Sequence, residues 1–340
     1  MATLSSATRS TLRKQLRDFL SRCESSSASS QVHLTLILYP SPDAFPPRVS
    51  GALHISVLDS SFNPPSNAHL ALSTLVPPAS TSEHPNAHLL LFSATNADKG
   101  TGRSGDVKPE NRLDLMLLLA KDVEAALKGA GQEANVFVGL VDKPLMGDKS
   151  SLIHALLRQH GHTPAVHSED AHASDGVSPA RLHYIHGHTP AVHSEDAHAS
   201  EGVSPARLHY IVGTDTLVRF FEPKYYGGQE GFERVCRQFF EVERTRFLCV
   251  KRPASRNSAD AEQVKKEEEE VLSRANIRRR IECGDVVVVD VPEAEGISST
   301  RVRKLLQGSQ PAEQKRTELK QLVTPSIAEY LLSEQNIWME

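Results

Sequence analysis

The sequence predicts an α/β fold, a parallel sheet covered by helices on both faces. Three observations lead there. Short continuous apolar runs recur along the chain, among them His54–Leu58, His88–Ser93, Val136–Val141, Phe247–Val250 and Val286–Val289. Each lacks the in–out alternation of a strand with one wet face, as expected where both faces are covered. Stretches of helical character separate them, the alternation that builds parallel sheets. The 340 residues suffice for a sizeable core. In such a sheet a ligand is expected at the carboxyl ends of the strands.

The chain starts with a segment that fits two readings. Met1 to Arg22 carries Arg9, Arg13, Lys14, Arg17 and Arg22 against the single acid Asp18, a composition suited to a mitochondrial presequence. Leu12, Leu16, Phe19 and Leu20 also form a helical stripe able to dock on the body of the fold. A Ser-rich loop, Ser25 to Ser30, ends it. His33–Leu38 reads as a strand and Pro40 to Pro47 as irregular chain. The strand His54–Leu58 leads through Ser60-Ser61-Phe62-Asn63-Pro64-Pro65-Ser66-Asn67-Ala68-His69 into a helix over Leu70–Leu75. After the strand at 88–93 comes Gly100-Thr101-Gly102-Arg103-Ser104-Gly105, formally a dinucleotide glycine pattern. It is followed by Pro109 and polar residues rather than by a helix, so it reads as a surface loop. A helix is expected from Glu110 through Leu127, and another from Ser150 to His160 after the strand at 136–141.

Residues His160–Ile185 and His186–Ile211 are the same 26-residue stretch twice, differing only at Asp175 and Glu201. The pair concentrates ten of the 16 histidines among Pro, Ser, Gly and acidic residues. That setting gives no rigid frame for a tetrahedral metal site, and the reading is a solvated insertion. Only the second copy continues into Ile211-Val212-Gly213-Thr214-Asp215, a strand, a glycine turn and a helix through Phe220. The strand at 247–250 ends in Lys251-Arg252-Pro253, a charge run from Lys265 sits on a helix continuing to Arg280, and a last helix covers Pro325–Leu332. The organisation that follows is a terminal segment 1–31, a first part of the main domain 32–159, the His-rich insertion 160–205 and the second part 206–340.

A net charge of −4 gives no expectation of a nucleic-acid surface, and no apolar stretch is long enough to span a membrane. Cys23, Cys236, Cys249 and Cys283 show no metal or redox spacing, which suits reduced thiols inside a cell.

Two stretches carry chemistry. The loop at 60–69 opens a helix, where unpaired N–H groups suit phosphate, and places His69 near that helix start. Far along the chain, Gly296-Ile297-Ser298-Ser299-Thr300-Arg301-Val302-Arg303 follows the strand at 286–289, with hydroxyls able to cap a helix that carries two arginines. A His site and a Ser/Thr/Arg site on two strand–loop–helix units suit a nucleoside triphosphate held between them.

The pair resembles the nucleotidyltransferase superfamily with its "HIGH" and "ISSTxxR" patterns, and is most similar to eukaryotic, fungal-type nicotinamide mononucleotide adenylyltransferases. The resemblance covers roughly residues 53–119 and 206–338. It implies a Rossmann-like nucleotidyltransferase fold and an enzyme that transfers AMP from ATP, as the magnesium complex, to nicotinamide mononucleotide, giving NAD and pyrophosphate. It implies His69 at the α-phosphoryl group, Ser66 on a β-phosphate oxygen, and Ser298, Thr300 and Arg303 on the β- and γ-phosphates. Ser61, Phe62, Ser299, Arg301, Gly213 and Asp215 would complete the ATP site. Lys99, Arg112 and Arg252 would lie on the substrate side. Mg²⁺ would ride on the phosphates with no dedicated protein cage. No nucleic acid or membrane partner is implied, an oligomer is allowed, and the location is cytoplasmic or nuclear, with mitochondria as the alternative. The chain departs from the family at Asp142–Ser150, where no aromatic replaces the tryptophan that stacks on the pyridine ring. The acceptor therefore stays open between nicotinamide mononucleotide and another phosphorylated molecule, as do hydrolysis of ATP and a non-catalytic nucleotide-binding role.

Overall fold

The computed structural model describes residues 5–25, 34–38, 45–77, 84–93, 103–164, 205–251, 260–334 and 337–339. Six strands run parallel in the order β4-β3-β2-β6-β7-β8: β2 Leu53–Asp59, β3 Ala87–Ser93, β4 Val136–Val141, β6 Pro205–Gly213, β7 Arg246–Val250 and β8 Val286–Val289. Counted from β2, that is the doubly wound order 3-2-1-4-5-6 of open Rossmann-type sheets. The predicted parallel sheet thus holds for six strands. β1, Leu34–Leu38, is the exception, pairing antiparallel with β4 at the edge. An antiparallel edge strand on an otherwise parallel sheet is common, because an edge strand needs no right-handed crossover. The short β5, Thr163–Pro164, pairs with the first residues of β6.

Period-two alternation along the strands feeds two separate cores. Ile55, Val57, Leu89, Leu91, Leu208, Tyr210, Phe247 and Cys249 point to one face. There they meet α4 Met146–Gln159, α5 Thr214–Phe220, α6 Gln229–Cys236 with its π-helical turn Arg237–Val242, and α8 Ala275–Glu282. Leu58, Leu90, Phe92, Ile211, Leu248 and Val250 point to the other. That face packs on α1 Ser6–Ser25, α2 Asn67–Ser73, α3 Pro109–Gly129, α9 Ser299–Gln307, α10 Ala312–Leu322 and α11 Pro325–Ser333. Burial on both sides is why these runs read as continuous apolar stretches.

Several boundaries differ from the sequence reading. The helix at 146–159 starts four residues before Ser150, and the charged helix breaks into α7, Asp260–Ser273, and α8, because Arg274 adopts extended geometry between them. No glycine turn separates β6 from α5: Gly213 ends the strand and caps the helix at φ −82°. The duplicated stretch from 165 to 204 lies outside the described residues.

For the terminal segment, the structure shows a docked helix. Leu16 and Phe19 of α1 are buried, and removing each from water contributes roughly 2 kcal/mol. Arg13 donates to Asp114 Oδ2 and to Asn111 Oδ1, and Tyr330 of α11 donates to the same Asp114 oxygen at 2.8 Å, so one buried carboxylate joins three helices.

Buried histidines, His88 and His154 among them, make stability depend on pH. His88 on β3 and His154 on α4 are 4% and 1% exposed, and burial pushes their pKa down to about 4 and about 3. Both stay neutral in the fold yet bind protons when unfolded below about pH 6.5, so stability falls as the pH drops from 6.5 towards those values. The expected loss at pH 5 is about 2 kcal/mol per histidine. Glu243, whose carboxyl burial pushes up, acts in the opposite sense. Urea midpoints at pH 7.5 and pH 5 for the wild type and for His88→Asn separate the two, and an equal pH dependence in both proteins would refute the assignment.

Candidate active site

The switch point of this sheet lies between β2 and β6, where the loops leaving their carboxyl ends diverge to opposite faces. The loop after β2 is Ser60–Ser66, and after β6 the chain passes at Gly213 directly into the first turn of α5, which carries Asp215. The order of the strands alone brings these two predicted stretches to one crevice.

The first loop is tightly built. Phe62 is fully buried and has φ +44°, a left-handed conformation that costs an aromatic residue about 1 kcal/mol. Its side chain is therefore packing, and a ligand could reach only its backbone. Asn63 uses both ends of its carboxamide: Oδ1 accepts the Val107 N–H at 2.7 Å, and Nδ2 donates to Asp106 Oδ1 at 2.6 Å. Ser61 is exposed at the loop surface.

His69 sits in the first turn of α2 and is fixed at both nitrogens. Its Nδ1 accepts from the Ser66 N–H at 3.1 Å and lies 2.9 Å from Ser66 Oγ. A nitrogen that accepts a backbone N–H carries no proton, so the neutral ring carries its proton on Nε2, directed at Ser60 Oγ 3.0 Å away. Burial lowers its pKa to about 4. His69 is thus a neutral, oriented hydrogen-bond donor at physiological pH. Ser66 departs from expectation: its side chain is wholly buried against His69, which makes it a positioning residue and removes it from direct phosphate contact.

The second stretch joins the first. Gly296, at φ +68°, makes the turn that aims the chain into α9. Ser298 caps the helix by accepting the Arg301 N–H at 3.2 Å, and Arg301 folds back to donate to Gly296 O at 2.9 Å. Ser299 Oγ donates to Pro64 O at 2.7 Å. Arg303 donates to Asn63 O at 2.5 Å and to Thr300 Oγ1 at 3.3 Å. Two stretches more than 230 positions apart are thereby sewn together by two side chains, Ser299 and Arg303.

Arg112, in the first turn of α3, completes the cluster. It is 6% exposed, its Nε donates to Val107 O at 2.6 Å, and one terminal nitrogen is buried without a hydrogen-bond partner, 3.5 Å from Asp106. Burial and the nearby Arg303 cation both depress its pKa, against the opposing pull of Asp106. Arg112, paired with Asp106 at 3.5 Å, thus has the second guanidinium of Arg303 near enough to disfavour its charge, an arrangement that suits an anion.

Asp215 is exposed in the first turn of α5, and a Cβ added at Gly213 would meet nothing within 4 Å, so the crevice is open beside it. Lys99 and Arg252 lie outside the described residues. Among the described residues no three His, Cys, Asp or Glu side chains converge on a metal position, and no helix is long and apolar enough to cross a membrane.

The sequence reading passed over Asn63 and Asp106. Asn63 stood inside the quoted loop, but its two-ended role depends on Val107 and Asp106, which sequence distance hides. Asp106 follows a glycine-rich segment read as surface loop, and only the adjacent apolar Val107 hinted at anchoring. It also passed over the buried ion pair between Lys149 of α4 and Asp59 at the end of β2, 5% and 10% exposed at their side chains. Asp148 beside it has its carboxyl pushed up by burial.

No family model and no curated protein matches the sequence. Among solved structures, the chain is similar to Plasmodium falciparum nicotinic acid mononucleotide adenylyltransferase complexed with NaAD. Identity is 11% over 82% of this chain and 95% of that one, with a TM-score of 0.42. The same protein complexed with APC aligns at 11% identity over 82% and 94% of the chains, also with a TM-score of 0.42. Likeness at this level leaves the reaction to be argued from the site.

Proposed function

We propose that this chain is an adenylyltransferase that takes Mg-ATP and transfers AMP to nicotinamide mononucleotide, releasing pyrophosphate. The observation that carries the reading is the joining of the two sequence stretches: Arg303 and Ser299 hold the carbonyls of Asn63 and Pro64, beside Arg112 and within one short loop of His69. The neighbouring guanidinium groups of Arg112 and Arg303 and a fixed neutral donor on one rim of the switch-point crevice suit a polyphosphate.

Adenylyl transfer needs no protein nucleophile, because the acceptor phosphate attacks the α-phosphorus directly. The protein contributes positioning and charge stabilisation. His69 Nε2–H would donate to the α-phosphoryl oxygen, exchanging its Ser60 partner for substrate. Arg303, Thr300 and the α9 amides would hold the leaving pyrophosphate, with Arg112 adding charge. Gly213 and Asp215 would face the adenosine, and Lys99 and Arg252 the acceptor. Magnesium would arrive on the phosphate oxygens and neutralise charge there.

One observation favours a second reading, transfer to another phosphorylated acceptor or hydrolysis. The stretch 142–150 presents the Lys149–Asp59 pair and Asp148 where a flat pyridine would need an aromatic platform. The sole tryptophan, Trp338, pairs instead with Val107. Incubating the protein with Mg-ATP and nicotinamide mononucleotide, and following dinucleotide, pyrophosphate and phosphate, tests both. Dinucleotide with equimolar pyrophosphate is expected. Orthophosphate alone would establish hydrolysis, and no turnover would remove the first reading.

A further inference from the structure

The segment Gly105–Lys108 lies between the C-terminal tail and the phosphate-facing residues, and its backbone bonds to both. On the outer side, Lys108 N–H donates to Ile337 O at 2.8 Å, Gly105 N–H to Met339 O at 3.1 Å, and Met339 N–H to Asp106 O at 2.7 Å. Val107 and Trp338 form the antiparallel bridge between them. On the inner side, Val107 N–H donates to Asn63 Oδ1 and Val107 O accepts from Arg112 Nε, at 2.7 and 2.6 Å. The Asp106 carboxylate accepts from Asn63 Nδ2 at 2.6 Å and from the Arg103 N–H at 3.1 Å. It also lies 3.5 Å from Arg112. Asn63 in turn offers its carbonyl to Arg303.

We propose that the tail Ile337–Met339 and Asp106 act as a strap that positions Asn63, Arg112 and, through Asn63, Arg303 for the nucleotide phosphates. This deepens the adenylyl-transfer reading and rests on it for the identity of the ligand. The physical basis is connectivity. A carboxamide held at both ends cannot rotate, so the position of Asp106 and Val107 fixes Asn63 and the carbonyl that Arg303 grips. Asp106 also supplies the negative charge beside the buried Arg112 guanidinium, which would otherwise have Arg303 as a charged neighbour and move towards water. Asp106 is a positioning residue: its bonds run to protein groups that would themselves face the phosphates.

The test uses the full chain and two variants. Met339→Pro deletes the N–H that Asp106 O receives and leaves Ile337 and Trp338 in place. Asp106→Asn turns one acceptor into a donor facing the N–H groups of Arg103, Asn63 and Arg112. Amide hydrogen exchange and Mg-ATP titration calorimetry are measured on each. In both variants, the Ser66 amide, which donates to His69 Nδ1, should exchange at least about tenfold faster, together with those at 105–108. The dissociation constant for Mg-ATP should rise about tenfold, with the thermal midpoint within a few degrees of wild type. Faster exchange at 105–108 with the Ser66 amide unchanged would overturn the strap. If Met339→Pro melts early, Asp106→Asn decides alone. If the wild-type chain binds no Mg-ATP, the ATP reading fails, and the exchange data still decide the strap.

Discussion

Replacing His69 by alanine is expected to lower kcat for adenylyl transfer by about 10²–10³-fold while changing KM for ATP less than about threefold. The asymmetry follows from where the hydrogen bond would act. Negative charge on the α-phosphoryl oxygens changes most as the transition state forms, and a donor aimed there contributes more at that stage than in the bound ground state. The Ser66 amide and hydroxyl hold Nδ1, so Nε2 is the donor whatever the substrate. Because burial holds its pKa at about 4, the ring is neutral throughout the physiological range. His69 should therefore contribute no inflection to the pH–rate profile between pH 8 and 5, and any loss it causes begins below about pH 5 as the ring protonates. An inflection near pH 6.5 that disappears in His69→Gln would show a histidine acting as a cation and refute the tautomer argument. The alanine variant also strands the Ser66 hydroxyl, so a stability loss of about 1 kcal/mol should accompany it. Retained Mg-ATP binding in calorimetry separates lost chemistry from lost structure. A wild-type rate in His69→Ala would remove the residue from the mechanism.

The layered sheet was legible because burial on both faces leaves uninterrupted apolar runs, and the edge strand β1 escaped because a strand's direction is not written in its composition. The stretches at 60–69 and 296–303 stand out in the sequence because each places polar groups at a helix start beside its own strand, and the structure brings them together. What joins them was not legible. Arg303 bonds to a backbone carbonyl, which every residue owns, so no side-chain pattern at Asn63 announces it. Asp106 depends on a backbone pairing with the far end of the chain. Ser66 shows the opposite failure. A hydroxyl beside a presumed phosphate loop reads as a phosphate ligand, and only three-dimensional burial reveals that His69 occupies it.

Arg303→Ala is expected to reduce kcat/KM for ATP by about 10²–10³-fold, and here, unlike at His69, most of the loss should lie in KM. The guanidinium has two tasks. It supplies positive charge near Arg112, and it pins the Asn63 carbonyl, hence the loop that carries His69. Lysine separates the tasks. It keeps the charge but has no planar fork to reach Asn63 O and Thr300 Oγ1 together, so Arg303→Lys should recover part of the binding and little of the loop order. The loop's share is measured by a cycle with Ser299→Ala, which removes the neighbouring bond to Pro64 O. If the two bonds hold one loop jointly, each single variant leaves the other as a partial tether, and the double variant should lose more than the sum of the singles, by about 1 kcal/mol in thermal stability. Additive losses would show two independent contacts. The site would then be an anion pocket whose two halves happen to adjoin, and the assignment of the Asn63–Arg303 bond as the joint between them would fall. A synergistic loss in stability together with a KM-dominated loss in Arg303→Ala would instead show that assembling the loop and binding the nucleotide are one event, carried by the same guanidinium.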